Sequence, residues 1–176
     1  MQNGSYVNCE FLDLGGKEEY NSLNKTHCKK ADCFVLVYDI TDSNSFELCK
    51  NFYKKEISEN CKKGIKVILI GNKSDFEKDR KVSKEEAEEF AKKNNYYFKE
   101  TSCENNVNVA DAFETIIIMT YNDMMKNKKQ NLEEKIDVEK FQIEKSNSEI
   151  LGGGGDNDLK SKKTEKKSFC CRCLIF

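Results

Sequence analysis

Residues 65–75 read I-K-V-I-L-I-G-N-K-S-D, an apolar run closed by a glycine and then by Asn-Lys-x-Asp. A run with no polar alternation suits a strand buried on both faces, and such strands belong to parallel sheets whose crossovers are helices. The fold class that follows is α/β. In open sheets of this kind ligands are held at the carboxyl ends of the strands, which is where Asn72, Lys73 and Asp75 fall. The Asp75 carboxylate is acceptor-only and can take two bonds from adjacent N–H donors, a pair that guanine presents at N1 and its exocyclic amine and adenine does not. Lys73 can lay its methylene stem along a base, and the Asn72 amide can tie the loop to its neighbours. By itself the tetrapeptide is a weak signal, because four polar residues after a strand usually form a solvated turn.

Two further segments strengthen it. Residues 9–18, C-E-F-L-D-L-G-G-K-E, form a second strand-like run ending in Asp13, followed three residues later by Gly16. An Asp so placed can orient a metal-bound water, and a Gly can leave its N–H open beside a phosphate. Residues 97–103, Y-F-K-E-T-S-C, give a third short strand, whose loop can offer the N–H groups of Ser102 and Cys103 to a carbonyl oxygen. Taken together, these segments make a chain that resembles the Ras-like small GTPases of the Ras and Rab branches over about residues 5–125. D-L-G-G-K-E stands where that family has D-x-x-G-Q-E, Asn72-Lys73-Ser74-Asp75 matches its guanine-specificity motif, and Glu100-Thr101-Ser102-Cys103-Glu104 is similar to its E-T-S-A-K loop. Residues 31–47 match its fourth strand and the start of its third helix.

The resemblance implies a P-loop NTPase-type, mostly parallel sheet flanked by helices, a switch that binds GTP or GDP with Mg2+, and effector and regulator proteins as partners. It implies nucleotide contacts at Asp13, Gly16, Asn72, Lys73, Asp75, Ser102, Cys103 and Glu104, with Asp13 reaching Mg2+ through water. The chain departs from the family in two ways. Its 176 residues hold no G-x-x-x-x-G-K-[ST], and only twelve residues precede Asp13, so the expectation is a truncated domain lacking the first strand, P-loop, switch I and second strand. Lys17 also stands at the position of the catalytic Gln, and an ammonium has no acceptor for the attacking water's proton. GTP hydrolysis is therefore expected to be weak or absent, and a lipid-anchored, nucleotide-independent interaction module derived from a small GTPase is the alternative. In the family the first strand lies between the third and fourth, so its loss is expected either to let those two pair directly or to leave two exposed edges. Asn3-Gly4 suits a tight hairpin turn before the strand that ends at Asp13.

Composition narrows the partners. A formal net charge of -1 from 30 basic and 31 acidic residues gives no bias toward nucleic acid. Cys9, Cys28, Cys33, Cys49, Cys61 and Cys103 are irregularly spaced and read as small apolar residues of a reducing compartment, and His27, the single histidine, reads as a surface residue. Residues 45–57 predict a helix burying Phe46, Cys49, Phe52 and Tyr53. Ser83-Lys84-Glu85-Glu86 is a capping box before a helix burying Ala87, Phe90 and Ala91. From Val109, Ala110, Phe113, Ile116, Ile117, Thr120, Tyr121 and Met124 make a helical apolar stripe.

The domain is expected to span residues 1–125. Residues 126–176 read as a flexible, disordered tail in which a weak amphipathic pattern extends the last helix before Gly152 to Gly155 end it. The tail ends C-C-R-C-L-I-F. Its last four residues form a C-a-a-X box that favours geranylgeranylation of Cys173, with Cys170 and Cys171 as palmitoylation candidates and a lysine-rich stretch upstream. A lipid with a basic stretch or a second acyl chain anchors a protein stably, here on the cytoplasmic face of a membrane.

Overall fold

Cys33–Asp39 and Lys66–Asn72 are deeply buried strands, and their side chains alternate strictly between two cores. Phe34, Leu36, Tyr38, Val67 and Leu69 enter one cluster; Cys33, Val35, Ile68 and Ile70 enter the other. The computed structural model describes residues 7–14, 27–147 and 169–175. It comprises two compact units, Tyr6–Tyr121 with Ser168–Phe176, and Met1–Ser5 with Asn122–Lys167.

In the first unit the strands are β1 (Val7–Asp13), β2 (Cys33–Asp39), β3 (Lys66–Asn72), β4 (Tyr97–Glu100) and β5 (Phe169–Ile175). Between β2 and β3 run α1 (Ser43–Leu48), a π-helical turn (Cys49–Tyr53) and α2 (Lys54–Asn60); α3 (Lys84–Lys93) joins β3 to β4, and α4 (Val109–Asn147) follows β4. All pairings are parallel and the order is β1-β5-β2-β3-β4. This is the α/β sheet that the apolar runs demand.

The helices cover both faces of the sheet. Phe46, Cys49, Tyr53 and Ile57, spaced by three or four, turn one side of α1, the π turn and α2 onto the first cluster, where Ala87 and Ala91 of α3 join them. Phe52 and Phe90 pack there half-buried. Asp42 caps α1 by accepting from the Asn44 N–H at 3.0 Å, and Ser83 caps α3 by accepting from the Glu86 N–H at 3.1 Å, one half of the capping box, while the Glu86 carboxylate meets Lys50. On the opposite face α4 presents Ala112 and Ile116, with Phe113 half-buried beside them. The stripe expected there is corrected in one respect: Ala110 is exposed, and Ala112, Ile116 and Thr120, four apart, form the buried line. Thr120 is tolerated because its hydroxyl donates to the Ile116 carbonyl at 2.7 Å. In the second unit residues 122–147 continue as helix, in keeping with the weak amphipathic pattern.

The main departure from expectation is β5. Its sequence suits the end of a free tail, yet Phe169–Ile175 lies between β1 and β2, in the place the resemblance assigns to the family's first strand. β1 and β2 neither pair with each other nor stand open at that side. Val7 to Asp13 pair residue for residue with Phe169 to Ile175, while Cys33, Phe34 and Val35 take Cys173, Leu174 and Ile175 on the other side. An unfilled central position leaves two rows of backbone donors and acceptors without partners, and any extended segment within reach that satisfies them is favoured. The Asn3-Gly4 turn and Gly152 to Gly155 lie outside the described residues.

Candidate functional site

The site forms where β2, β3 and β4 end in register, with Asp39 beside Asn72 and Gly71 beside Glu100. Two backbone bonds tie the loops beyond: the Thr101 N–H donates to the Gly71 carbonyl at 2.9 Å, and the Ser74 N–H to the Thr101 carbonyl at 3.0 Å. Lys73 adopts a left-handed backbone at φ 65, which ends the strand sharply and swings Ser74 and Asp75 away from its line. Its ammonium meets Asp39 Oδ2 at 2.6 Å, and its side chain stays more than half exposed. Asp39 Oδ1 meanwhile accepts from the Thr41 N–H at 2.8 Å and the Thr41 hydroxyl at 2.7 Å. Burial alone would raise the Asp39 pKa, but Lys73 and the Thr41 donors outweigh it and hold the carboxyl below its ordinary range. The same partner raises the Lys73 ammonium.

Asn72 and Asp75 are set by the β4 loop. Asn72 Oδ1 accepts from the Thr101 hydroxyl at 3.1 Å and lies 3.5 Å from Cys103 Sγ, so the amide links the two loops. The Ser102 hydroxyl donates to Asp75 Oδ1 at 2.5 Å and also accepts from the Asn105 N–H at 3.1 Å. That leaves Asp75 exposed, with one oxygen held and the other making no bond among the described residues. A carboxylate oriented in this way presents an open acceptor edge to paired N–H donors.

The Ser102 N–H, expected to face a ligand carbonyl, instead donates to the Val107 carbonyl at 3.1 Å, and the Val107 N–H returns a bond at 2.9 Å. This bridge closes the loop, and the Cys103 and Glu104 N–H groups make no bond among the described residues. Glu104 is exposed in the same turn. Sequence reasoning misses Asp39 and Thr41, which latch Lys73, and Arg80, whose guanidinium forks onto Glu100 at 2.7 and 3.0 Å and onto Glu77. The Asp39-Ile40-Thr41 run directly after an apolar strand is the available signal for the latch.

Asp13 is not brought to this edge. It pairs with Ile175, which pairs with Val35, so it lies four residues short of Asp39, roughly 13 Å along the strands. Three strand spacings, roughly 14 Å, separate β1 from β3. Gly16 and Lys17 lie outside the described residues. No group of three or more His, Cys, Asp or Glu among the described residues could hold a metal ion. Among the described residues Asp13 alone does not fit Mg2+. The open acceptor edge of Asp75 has the chemistry to take the paired N–H donors of a guanine; beside Asp13, where phosphates are cradled in the resembling family, stands a strand reading Cys-Leu-Ile.

Comparison with known proteins bears on the whole unit. A model of the Ras family matches residues 1–122. The chain is 38% identical over 113 residues to Ras-related protein Rab-13 of Rattus norvegicus, covering 64% of this chain and 55% of that protein. It is 37% identical over 120 residues to Ras-related protein RABA4b of Arabidopsis thaliana (68% and 53%), and 35% identical over 127 residues to Ras-related protein Rab-11B of Dictyostelium discoideum (72% and 57%). The chain thus spans about half the length of the curated relatives it matches. The parallel sheet with its ligand loops, the guanine-type motif at its carboxyl edge and the family match over residues 1–122 agree: this chain belongs to the Ras family of small GTPases.

Proposed function

We propose that this chain carries the base-recognising half of a guanine-nucleotide switch acting in membrane trafficking or signalling. One observation carries the reading: Asp75 is oriented by the Ser102 hydroxyl with an acceptor edge left open, beside a Lys73 stem latched by Asp39. Guanine fills that edge with two N–H donors, and adenine offers no such pair. Effectors and regulators are the protein partners. Cys173 carries a prenyl group, seconded by Cys170 and Cys171, which holds the protein on the cytoplasmic face of a membrane. Titration of the chain with fluorescent GDP, and of Asp75→Ala, tests the base reading. The variant is expected to bind at least about tenfold more weakly, since unpaired donors of the base cost about 1–3 kcal/mol; equal binding by the variant overturns it.

A second reading is supported by β5. With Phe169–Ile175 standing where the family places its phosphate-binding strand, and with no phosphate-cradling motif in the 176 residues, a nucleotide-independent interaction module also accounts for the chain. GDP binding separates the two readings, and single-turnover phosphate release from GTP tests the weak hydrolysis that both expect. Negligible release is expected, because Lys17 cannot accept the water's proton; turnover like that of an intact small GTPase would contradict both the assignment of Lys17 and the module reading.

A further inference from the structure

The segment that completes the sheet is the segment that holds all three cysteines of the lipid-anchor reading. Cys173 is in register with Phe11 on one side and Cys33 on the other, so its backbone lies inside the ladder rather than at an edge. The Leu14 N–H donates to the Ile175 carbonyl at 3.0 Å, and the Ile175 side chain packs half-buried against the cluster of Cys33, Val35 and Ile116. Three of the four C-a-a-X residues are thereby engaged by the sheet. A transferase must take the same tetrapeptide into its own cleft, and one backbone cannot satisfy both surfaces at once.

We propose that residues 169–175 have two mutually exclusive states, inserted in the sheet and unlipidated, or released and prenylated at Cys173, so that sheet completion and membrane anchoring compete for one segment. The inference rests on the lipid-anchor reading above. In the transfer, Cys173 sulfur bonds to C1 of geranylgeranyl diphosphate, the C1–O bond breaks, diphosphate leaves with the electron pair, and the thiol proton passes to the medium. Once a lipid holds the segment at a membrane, the position between β1 and β2 is vacated and both strands present unpaired edges. Anchoring is in this way coupled to a more open sheet, and the unmodified protein keeps its own anchor masked.

The test uses the purified full-length chain, a C-a-a-X prenyltransferase and geranylgeranyl diphosphate, with product read by mass. The native chain is compared with its own octapeptide, residues 169–176, and with a Cys171→Pro chain and peptide. Proline at 171 removes a ladder N–H from the strand centre and leaves the C-a-a-X box intact. Amide hydrogen exchange is followed in parallel. The expected result is slow exchange across residues 169–175 in the native chain and fast exchange in the variant. Prenylation of the native chain should be at least about tenfold slower than that of the variant, while the two peptides react alike; about tenfold corresponds to one decade in the inserted-to-released ratio. The native chain against its own peptide decides even where the proline variant does not fold. Fast exchange of residues 169–175 in the native chain overturns the inference, as does a protected native chain prenylated as fast as its peptide. Peptides that are not prenylated at all remove the lipid-anchor reading and the competition with it, while the exchange data still report separately on the strand.

Discussion

Gly71 and Tyr38 constrain each other. A Cβ at position 71 would lie 2.6 Å from the Tyr38 hydroxyl oxygen and 2.9 Å from its Cζ, so the ring occupies the space a side chain would need. Gly71→Ala is expected to destabilise the fold by about 1–3 kcal/mol through overpacking, visible as a lower midpoint in denaturant at unchanged slope. The Tyr38 hydroxyl is buried without a partner among the described residues, and burial pushes its pKa well up. Tyr38→Phe removes an unsatisfied group and keeps the ring against Phe46, so stability should rise by about 1 kcal/mol in the same measurement. At the latch, Asp39 titrates below its ordinary range in the folded chain, so it contributes stability above the unfolded carboxylate pKa and loses it as pH falls through the lower, folded value. Asp39→Asn should therefore flatten the acid limb of a stability–pH profile and leave the neutral region with a constant deficit. An unchanged acid limb would mean that Lys73 and Thr41 do not hold the charged form.

Elements whose burial is periodic are legible in the amino-acid sequence alone. Residues 33–39 and 66–72 announce themselves by apolar content, Ser83 by its capping box, and Asn72, Lys73, Asp75 and Ser102 by falling at strand ends. β5 is not legible in this way. Its residues follow a lysine-rich stretch and carry a lipidation signature, and its pairing is fixed by an opening between β1 and β2 that is more than a hundred residues away in sequence. Local pattern carries no record of such a partner. The role expected of the Ser102 N–H fails for a related reason, since its acceptor, Val107, is brought back only by a turn with left-handed Asn106. If β5 completes the sheet, removing residues 169–176 should lower stability by at least about 3 kcal/mol, from several ladder bonds at about 0.5–1.5 kcal/mol each, and should promote association through the exposed edges. Thermal unfolding with light scattering checks both effects, and an unchanged midpoint in a monomeric truncated chain would contradict the pairing.

For the whole molecule, the sheet places the open carboxylate edge of Asp75 at one end of β3 and Phe169–Ile175 between β1 and β2. Among the described residues no helix is long and apolar enough to cross a membrane, and the anchoring proposal places attachment at the carboxyl terminus instead. Cys173→Ser should then move the protein from the membrane to the soluble fraction in cells with active prenyltransferases, while replacing both Cys170 and Cys171 with Ser should weaken association without abolishing prenylation; a Cys173→Ser protein that stays with membranes would contradict this. Competition among GDP, IDP and ADP shows whether Asp75 reads the two N–H donors of guanine. Hypoxanthine keeps the N1 donor and lacks the exocyclic amine, so it should lose part of the Asp75 interaction, and adenine all of it. Affinities are predicted to fall in the order GDP, IDP, ADP, with about fivefold or more between the first two from one lost hydrogen bond at about 1–3 kcal/mol, and no such spread in Asp75→Ala. Equal affinity for GDP and IDP in the unmutated chain would contradict it.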